Sequence, residues 1–222
     1  MEKKFSFEQE ALLASNVNRK GELAIYDDRI HLILQQFFSE ISPIPDPFIK
    51  AKDLFNWLWK EKPTRYERHG QFRLSAVIDA QLRKDKRAVG NCLGLTLLYN
   101  CLLRRMDIYA DALFLENAFG IGPHVLTLLQ TEESAIDIEN ILPYGFDYKG
   151  HLDHPSRTRW GDRELVADIY HSLANECFRK GEFAKAFTNY EMAIKLNPQY
   201  QKARLNKAIL MNKIRGNKDK VI

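Results

Sequence analysis

The sequence predicts an α+β fold, in which a group of helices precedes a small antiparallel sheet and a separate helical tail follows. Three observations predict it. Apolar residues recur at helical spacing up to about residue 82, and a segment that is apolar on nearly every side comes after them. Short apolar runs separated by turn residues then replace the helical period. Helices followed by a run of strands are typical of the α+β class.

Residues 1–48 are predicted to form an N-terminal helical segment. The stretches FEQEALLAS and IYDDRIHLILQQFFSEI carry apolar residues at close to every 3.6 positions. The run SPIPDP, residues 42–47, ends the second helix, because proline blocks helix continuation and disfavours helix in the residue before it. Two shorter amphipathic helices follow, in FIKAKDLFNWLWKE and RLSAVIDAQLRKDK.

Residues 49–160 are predicted to form the core, built around one buried helix in GNCLGLTLLYNCLLRR. Asn91 suits the N-cap of that helix, and Arg104 and Arg105 suit the C-terminal end of its dipole. Because apolar residues occur on nearly every side, the helix is expected to be surrounded by the rest of the domain.

The strands are predicted after this helix, in IYADALFLEN (108–117), HVLTLLQ (124–130) and AIDIENI (135–141). TEES, residues 131–134, is predicted to be a four-residue hairpin turn between the last two strands. A loop rich in glycine, histidine and proline is expected from residue 143 to residue 160.

Residues 163–216 have the residue spacing of a tetratricopeptide repeat (TPR). Small alanines allow two antiparallel helices to approach closely, aromatic and aliphatic residues fill the seam, and Gly181 permits the turn. The positions that carry this pattern are Tyr170, Leu173, Ala174, Cys177, Ala186, Tyr190, Ala193 and Pro198. Because about three repeats are needed to bury a core, one and a half repeats are expected to pack on the preceding domain or to bind a protein or peptide partner.

Composition excludes several classes of function. The chain has 222 residues and a formal net charge of +4, which is spread too evenly to predict nucleic-acid binding. No secretory signal and no membrane-spanning run is evident, so a cytoplasmic protein is expected. Three cysteines without CxxC spacing indicate neither a disulfide framework nor a zinc site. His151, Asp153 and His154, in HLDHPSR, are interpreted as surface residues, and no metal or cofactor is expected.

Cys92 is the first candidate catalytic residue. It falls in the first turn of the predicted buried helix, where unpaired backbone N–H groups and the helix dipole favour a thiolate, the nucleophilic form of cysteine. Cys101, nine residues later, faces another side of the helix and gains nothing from the dipole. The alternative is that Cys92 only packs, because free cysteine is among the most buried residue types.

His124 and Asp137 are the candidate base and acid. His124 begins a strand after GIGP, and Asp137 lies in the apolar strand AIDI, where a carboxylate needs a partner such as an imidazole N–H. The alternatives are a histidine that caps a strand end and an aspartate bonded to backbone N–H groups. A symmetric hairpin closing at TEES would place Asp137 opposite Leu128 and more than about 10 Å along the strand from His124, so a bulge or strong twist would be required.

A helix-start Cys, a strand His and an Asp on the next strand, in that chain order, resemble the transglutaminase-like superfamily, which is related to the papain-type thiol enzymes. Residues 7–142 followed by TPR helices more closely resemble a bacterial group of transglutaminase-like proteins with a C-terminal TPR. The matching segments are EQEALLAS, DLFNWLWKE, LSAVIDAQL, GNCLGLTLLYNCLLRRMDI, GPHVLTLL and AIDIENI. The chain departs from active transglutaminases in having DIEN where Asp-Pro is usual, and in lacking an aromatic residue just before Cys92.

The resemblance implies a papain-type domain with N-terminal helices, a small antiparallel sheet and a TPR tail. It also implies a thiol-dependent acyl hydrolase or transferase that works through Cys92, His124 and Asp137 and binds a protein substrate through the TPR helices. Many members of the group look like non-enzymatic regulators. The alternative is therefore a non-catalytic interaction scaffold, in which the TPR is the working surface.

Overall fold

In the part of the chain that the structure describes, five helices precede a four-stranded antiparallel sheet and three further helices follow it. The computed structural model describes residues 6–41, 45–131 and 134–218. Its elements in chain order are α1 (Phe7–Ala14), α2 (Lys20–Glu40), α3 (Pro47–Glu61), α4 (Leu74–Leu82), α5 (Cys92–Arg105), β1 (Ala110–Leu115), β2 (His124–Gln130), β3 (Ala135–Ile138), β4 (Thr158–Trp160), α6 (Asp162–Arg179), α7 (Phe183–Leu196) and α8 (Gln201–Lys218). The predicted α+β class is confirmed. The chain forms two compact units, Met1–Asp162 and Arg163–Ile222.

Helices α3 and α5 each begin at a residue whose side chain caps the helix. Asp46 accepts hydrogen bonds from the backbone N–H groups of Phe48 and Ile49, and Pro47 occupies the first turn of α3. Asn91 caps α5 by accepting the N–H of Gly94 at 3.1 Å. Residues 42–44 of the proline-rich run lie outside the described residues.

Helix α5 is the centre of the first unit, as the sequence predicts. Every residue from Leu93 to Leu103 is buried, including the polar residues Thr96 and Asn100. The helix packs against α4 on one side and against β1 and β2 on the other. Its first residue, Cys92, is thereby held at the edge of the core and is partly exposed.

The sheet has the order β3-β2-β1-β4, and each neighbouring pair is antiparallel. In the hairpin of β2 and β3, Gln130 pairs with Ala135 and Leu128 pairs with Asp137, so residues 131–134 form the connection. Residues 132 and 133 of the predicted TEES turn lie outside the described residues. The expectation of one continuous loop from 143 to 160 is wrong at its end, where β4 pairs with β1 and Trp160 stacks on Phe114 at a centroid distance of 4.1 Å.

A buried polar network connects α5, β2 and the segment after β3. The Thr127 hydroxyl donates to Asn100 Oδ1 at 2.7 Å, and Asn140 Nδ2 donates to Thr127 Oγ1 at 2.9 Å. Asn140 Nδ2 also contacts Thr96 Oγ1, and Asn100 Nδ2 donates to the carbonyl oxygen of Asp111. Because buried polar groups are costly when unpaired, this network fixes the relative positions of the three elements.

In the second unit, α6 and α7 are joined by a tight turn at Gly181, whose φ of +77° lies in the left-handed region that glycine tolerates. Ala174, Ala186, Tyr190 and Leu210 form its apolar core. A polar cluster lies beside that core, in which Tyr200 Oη contacts both Asp168 and His171. None of the described helices, in either unit, is both long and apolar enough to cross a membrane.

Candidate active site

The backbone before Cys92 is held by a neighbouring loop. The N–H groups of Val89 and Gly90 donate to the carbonyl oxygen of Arg65, and the N–H of Asn91 donates to the carbonyl oxygen of Gln71. A β-carbon on Gly94 would lie 2.4 Å from that same Gln71 oxygen, so only glycine permits the loop to approach α5 this closely. These contacts place Cys92 as the first helical residue, where its N–H has no partner within the helix.

His124 is the first residue of β2 and contacts both other members of the site. Its Nε2 lies 2.8 Å from Oε2 of Glu139, and Cys92 lies close enough to raise the pKa of the ring. Burial by itself would lower the pKa of His124. The interactions with Cys92 and Glu139 outweigh burial and raise the pKa of His124 to about 10.

Glu139 follows β3 directly and is fully buried. Its backbone is fixed by Gly145, which accepts the Glu139 N–H at 2.8 Å. Burial opposes ionisation of the carboxyl group, but hydrogen bonds from His124 and from His151 prevail and lower the pKa of Glu139. A carboxylate held next to an imidazole in this way fixes its tautomer and orientation.

Asp137, the acid that the sequence predicts, does not contact His124. It lies opposite Leu128, as the symmetric hairpin requires, and no bulge brings it closer. Its carboxylate binds Arg157 through two hydrogen bonds of 2.6 and 2.9 Å. The pairing of His124 with Asp137 is therefore corrected: the carboxylate that contacts His124 is that of Glu139.

The register explains this exchange of acids. Extending the observed pairing by one step beyond Thr127↔Ile138 sets Glu139 opposite Leu126. Side chains two residues apart on a strand share a face, so His124 is the diagonal neighbour of Glu139 and is too far from Asp137. The number of residues between TEES and each acid could have shown this. In a symmetric hairpin, Glu139 comes within reach of His124 and Asp137 does not.

His151 is the residue that sequence reasoning missed. The interpretation of this histidine as a surface residue is wrong, since it is 3 % exposed. Its Nε2 lies 3.0 Å from the same Glu139 oxygen that His124 contacts. Phe119 packs edge-on over both imidazoles, at centroid distances of 5.5 Å from His124 and 4.9 Å from His151.

The donor atoms of His124, Glu139 and His151 all lie within 4.8 Å of one another, a spacing that also suits a divalent metal ion. The same spacing also suits hydrogen bonding, in which two imidazole N–H groups donate to one carboxylate oxygen at 2.8 and 3.0 Å. The hydrogen-bonded arrangement accounts for every one of these contacts.

No family model, curated protein or solved structure matches the chain.

The arrangement has the parts of a thiol nucleophile. An imidazolium beside a sulfur favours the thiolate, and a helix N-terminus favours it further. Tyr66 lies close enough for the charges of Cys92 and Glu139 to act on it: burial first, and then those charges, raise the pKa of its hydroxyl. Burial raises the pKa of Cys101 well above its usual value and also raises that of Cys177.

Proposed function

We propose that this protein is a thiol-dependent acyl hydrolase or transferase of transglutaminase-like type, with Cys92 as nucleophile, His124 as base and acid, and Glu139 as the orienting carboxylate. The observation that carries the proposal is the position of His124, which bonds to the buried Glu139 at 2.8 Å and lies close enough to Cys92 for the two groups to interact. Cys92 is partly exposed, as a nucleophile must be.

The reaction begins when the Cys92 thiolate attacks the carbonyl carbon of an amide and forms a C–S bond. The carbonyl π electrons move to oxygen, and the backbone N–H of Cys92 is placed to donate to this oxyanion. The oxyanion then collapses, the C–N bond breaks, and the leaving amine takes the His124 proton. A water or a second amine attacks the thioester, gives its proton to His124, and releases the thiolate.

The helices α6 to α8 are proposed to be a TPR-type segment that binds the protein or peptide substrate. The close packing of Ala174 and Ala186 against Tyr190 is what the repeat pattern requires. On α8, Leu205 and Ile209 lie one helical turn apart and are 61 % and 49 % exposed. The same exposed pair also supports the alternative function, a scaffold that binds partners without catalysis.

Trapping of Cys92 tests the proposal. The protein is treated with an electrophilic acyl-amide probe at pH 7 in the presence of a chelator, and the labelled peptides are identified by mass spectrometry. We expect rapid labelling of Cys92, slow labelling of Cys101 and Cys177, and a loss of about a hundredfold in His124→Asn. Equal labelling of Cys92 in the native protein and in His124→Asn would contradict catalysis and favour the scaffold.

A further inference from the structure

His151 contacts the carboxylate of Glu139, the same group that His124 contacts. It approaches the Glu139 oxygen that also accepts from His124, so one carboxylate oxygen accepts two imidazole N–H groups. Among the described residues, the other oxygen, Oε1, accepts one long hydrogen bond of 3.4 Å, from the N–H of Ile141. The orientation of the Glu139 carboxylate is therefore set by the two histidines.

The loop that carries His151 is anchored by Asp137 and Arg157. Arg157 donates to the carbonyl oxygen of His151 at 2.7 Å with the same Nη1 atom that binds Asp137 at 2.6 Å. The side chain of Asp137 is buried, and it is paired with a guanidinium group by two hydrogen bonds. Asp137 also accepts the N–H of Tyr148 on its backbone oxygen, so it holds the loop at two points.

We propose that His151 is a positioning residue of the thiol site: its Nε2–H fixes the Glu139 carboxylate against His124, and the Asp137–Arg157 pair fixes His151. The inference rests on the proposed function. It also gives Asp137 an indirect role in the site. Asp137 holds Arg157, Arg157 holds the backbone of His151, and His151 holds the Glu139 carboxylate.

Packing is the competing explanation for His151. Its ring meets Phe119 and Tyr148 edge-on, each at a centroid distance of 4.9 Å, and a histidine could be present only to fill that space. The two explanations differ in what a substitute must retain. Positioning requires an N–H donor at the place of Nε2, whereas packing requires a flat ring of similar volume.

Two variants separate these explanations. In His151→Gln the side-chain amide retains an N–H donor and loses the ring, and in His151→Phe the ring is retained and the donor is lost. His31, exposed on α2, supplies the matched control His31→Gln. The rate of Cys92 alkylation by iodoacetamide is measured by peptide mass spectrometry from pH 5 to pH 10. The titratable and charged groups that face His151 in the described residues include Glu139, Tyr148, His124, His154 and Arg157, so the whole profile is compared between variants.

We expect His151→Phe to slow Cys92 alkylation at pH 7 about ten- to a hundredfold, because the carboxylate loses a charge-assisted hydrogen bond. His151→Gln should stay within about threefold of the native rate, as should the control. Native rates in both variants would overturn the inference, and so would equal losses in both, because the hydrogen bond would then not be what matters.

A third variant keeps the test decisive if His151→Phe does not fold. Arg157→Gln removes the guanidinium that joins Asp137 to the His151 backbone, and it should slow alkylation severalfold; an unchanged rate overturns the inference. Failure of the proposed function has a different signature, since Cys92 in the otherwise native protein would then react no faster than in His124→Asn.

Discussion

The carboxylate of Glu139 lies 2.8 Å from Nε2 of His124, although the directly paired strands end one residue before Glu139. This contact exists because the chain continues past β3 along the same line and is then fixed by Gly145. Glu139, and not Asp137, is therefore the acid that contacts the histidine. Substitutions of the two acids should have different effects.

Glu139→Gln should lower the reactivity of Cys92 much more than Asp137→Asn does. Removing the Glu139 charge takes away one of the interactions that raise the pKa of His124, so less imidazolium faces the sulfur. We expect about a hundredfold slower alkylation for Glu139→Gln and about tenfold or less for Asp137→Asn, from rate constants at pH 7. A larger loss in Asp137→Asn would show that the acid is Asp137 after all.

The charge of His124 should persist through neutral pH. Its pKa is raised from 6.5 to about 10, so the imidazolium stabilises the folded protein fully below about pH 6.5 and this contribution is lost as the pH rises through about 10. Imidazole ¹⁵N shifts should show a doubly protonated ring at pH 8. The difference in unfolding free energy between the native protein and His124→Gln should narrow from pH 6 to pH 10. A ring that titrates near 6.5 would contradict the prediction.

Gly145→Ala should damage the site through the backbone of Glu139. An added β-carbon would lie 2.0 Å from the Glu139 carbonyl oxygen, so the chain must move and the 2.8 Å hydrogen bond between these residues must lengthen. We expect a loss of about 1–3 kcal/mol in unfolding free energy together with slower Cys92 alkylation.

Gly21→Ala is the matched control for that substitution, because nothing lies within 4 Å of its added β-carbon. Its effect on stability should stay below about 1 kcal/mol and should favour the folded state, since alanine is the better helix former. Similar losses in Gly21→Ala and Gly145→Ala would remove the steric explanation.

Thr127→Val should destabilise the first unit although it preserves the shape of the side chain. The hydroxyl both donates to Asn100 and accepts from Asn140, so its removal leaves two buried amide groups short of a partner. We expect a loss of about 1–3 kcal/mol, measured by urea unfolding. Thr64→Val, at an exposed position, should change stability by less than about 0.5 kcal/mol. Tolerance of Thr127→Val would indicate that the network is not tightly coupled.

Local patterns were sufficient to predict most of the fold. The apolar run after Asn91 predicted the buried helix and its N-cap, and the turn residues around 131–134 predicted a hairpin whose register the structure confirms at Leu128 and Asp137. These features depend on residues close in sequence, or on pairing that one turn fixes. The strand β4 was missed because three residues, two of them exposed, carry almost no period.

The sequence by itself determined where the thiol and the histidine lie, because a helix start and a strand start are local events. The hairpin spacing excludes Asp137 and makes Glu139 a candidate, but only the tertiary structure decided that Glu139 meets the histidine and that His151 joins it. Those contacts depend on how the chain leaves β3 and folds back through residues 145–157. Because Glu139 is buried, its carboxylate must find hydrogen-bond donors within the protein, and His124 and His151 supply them.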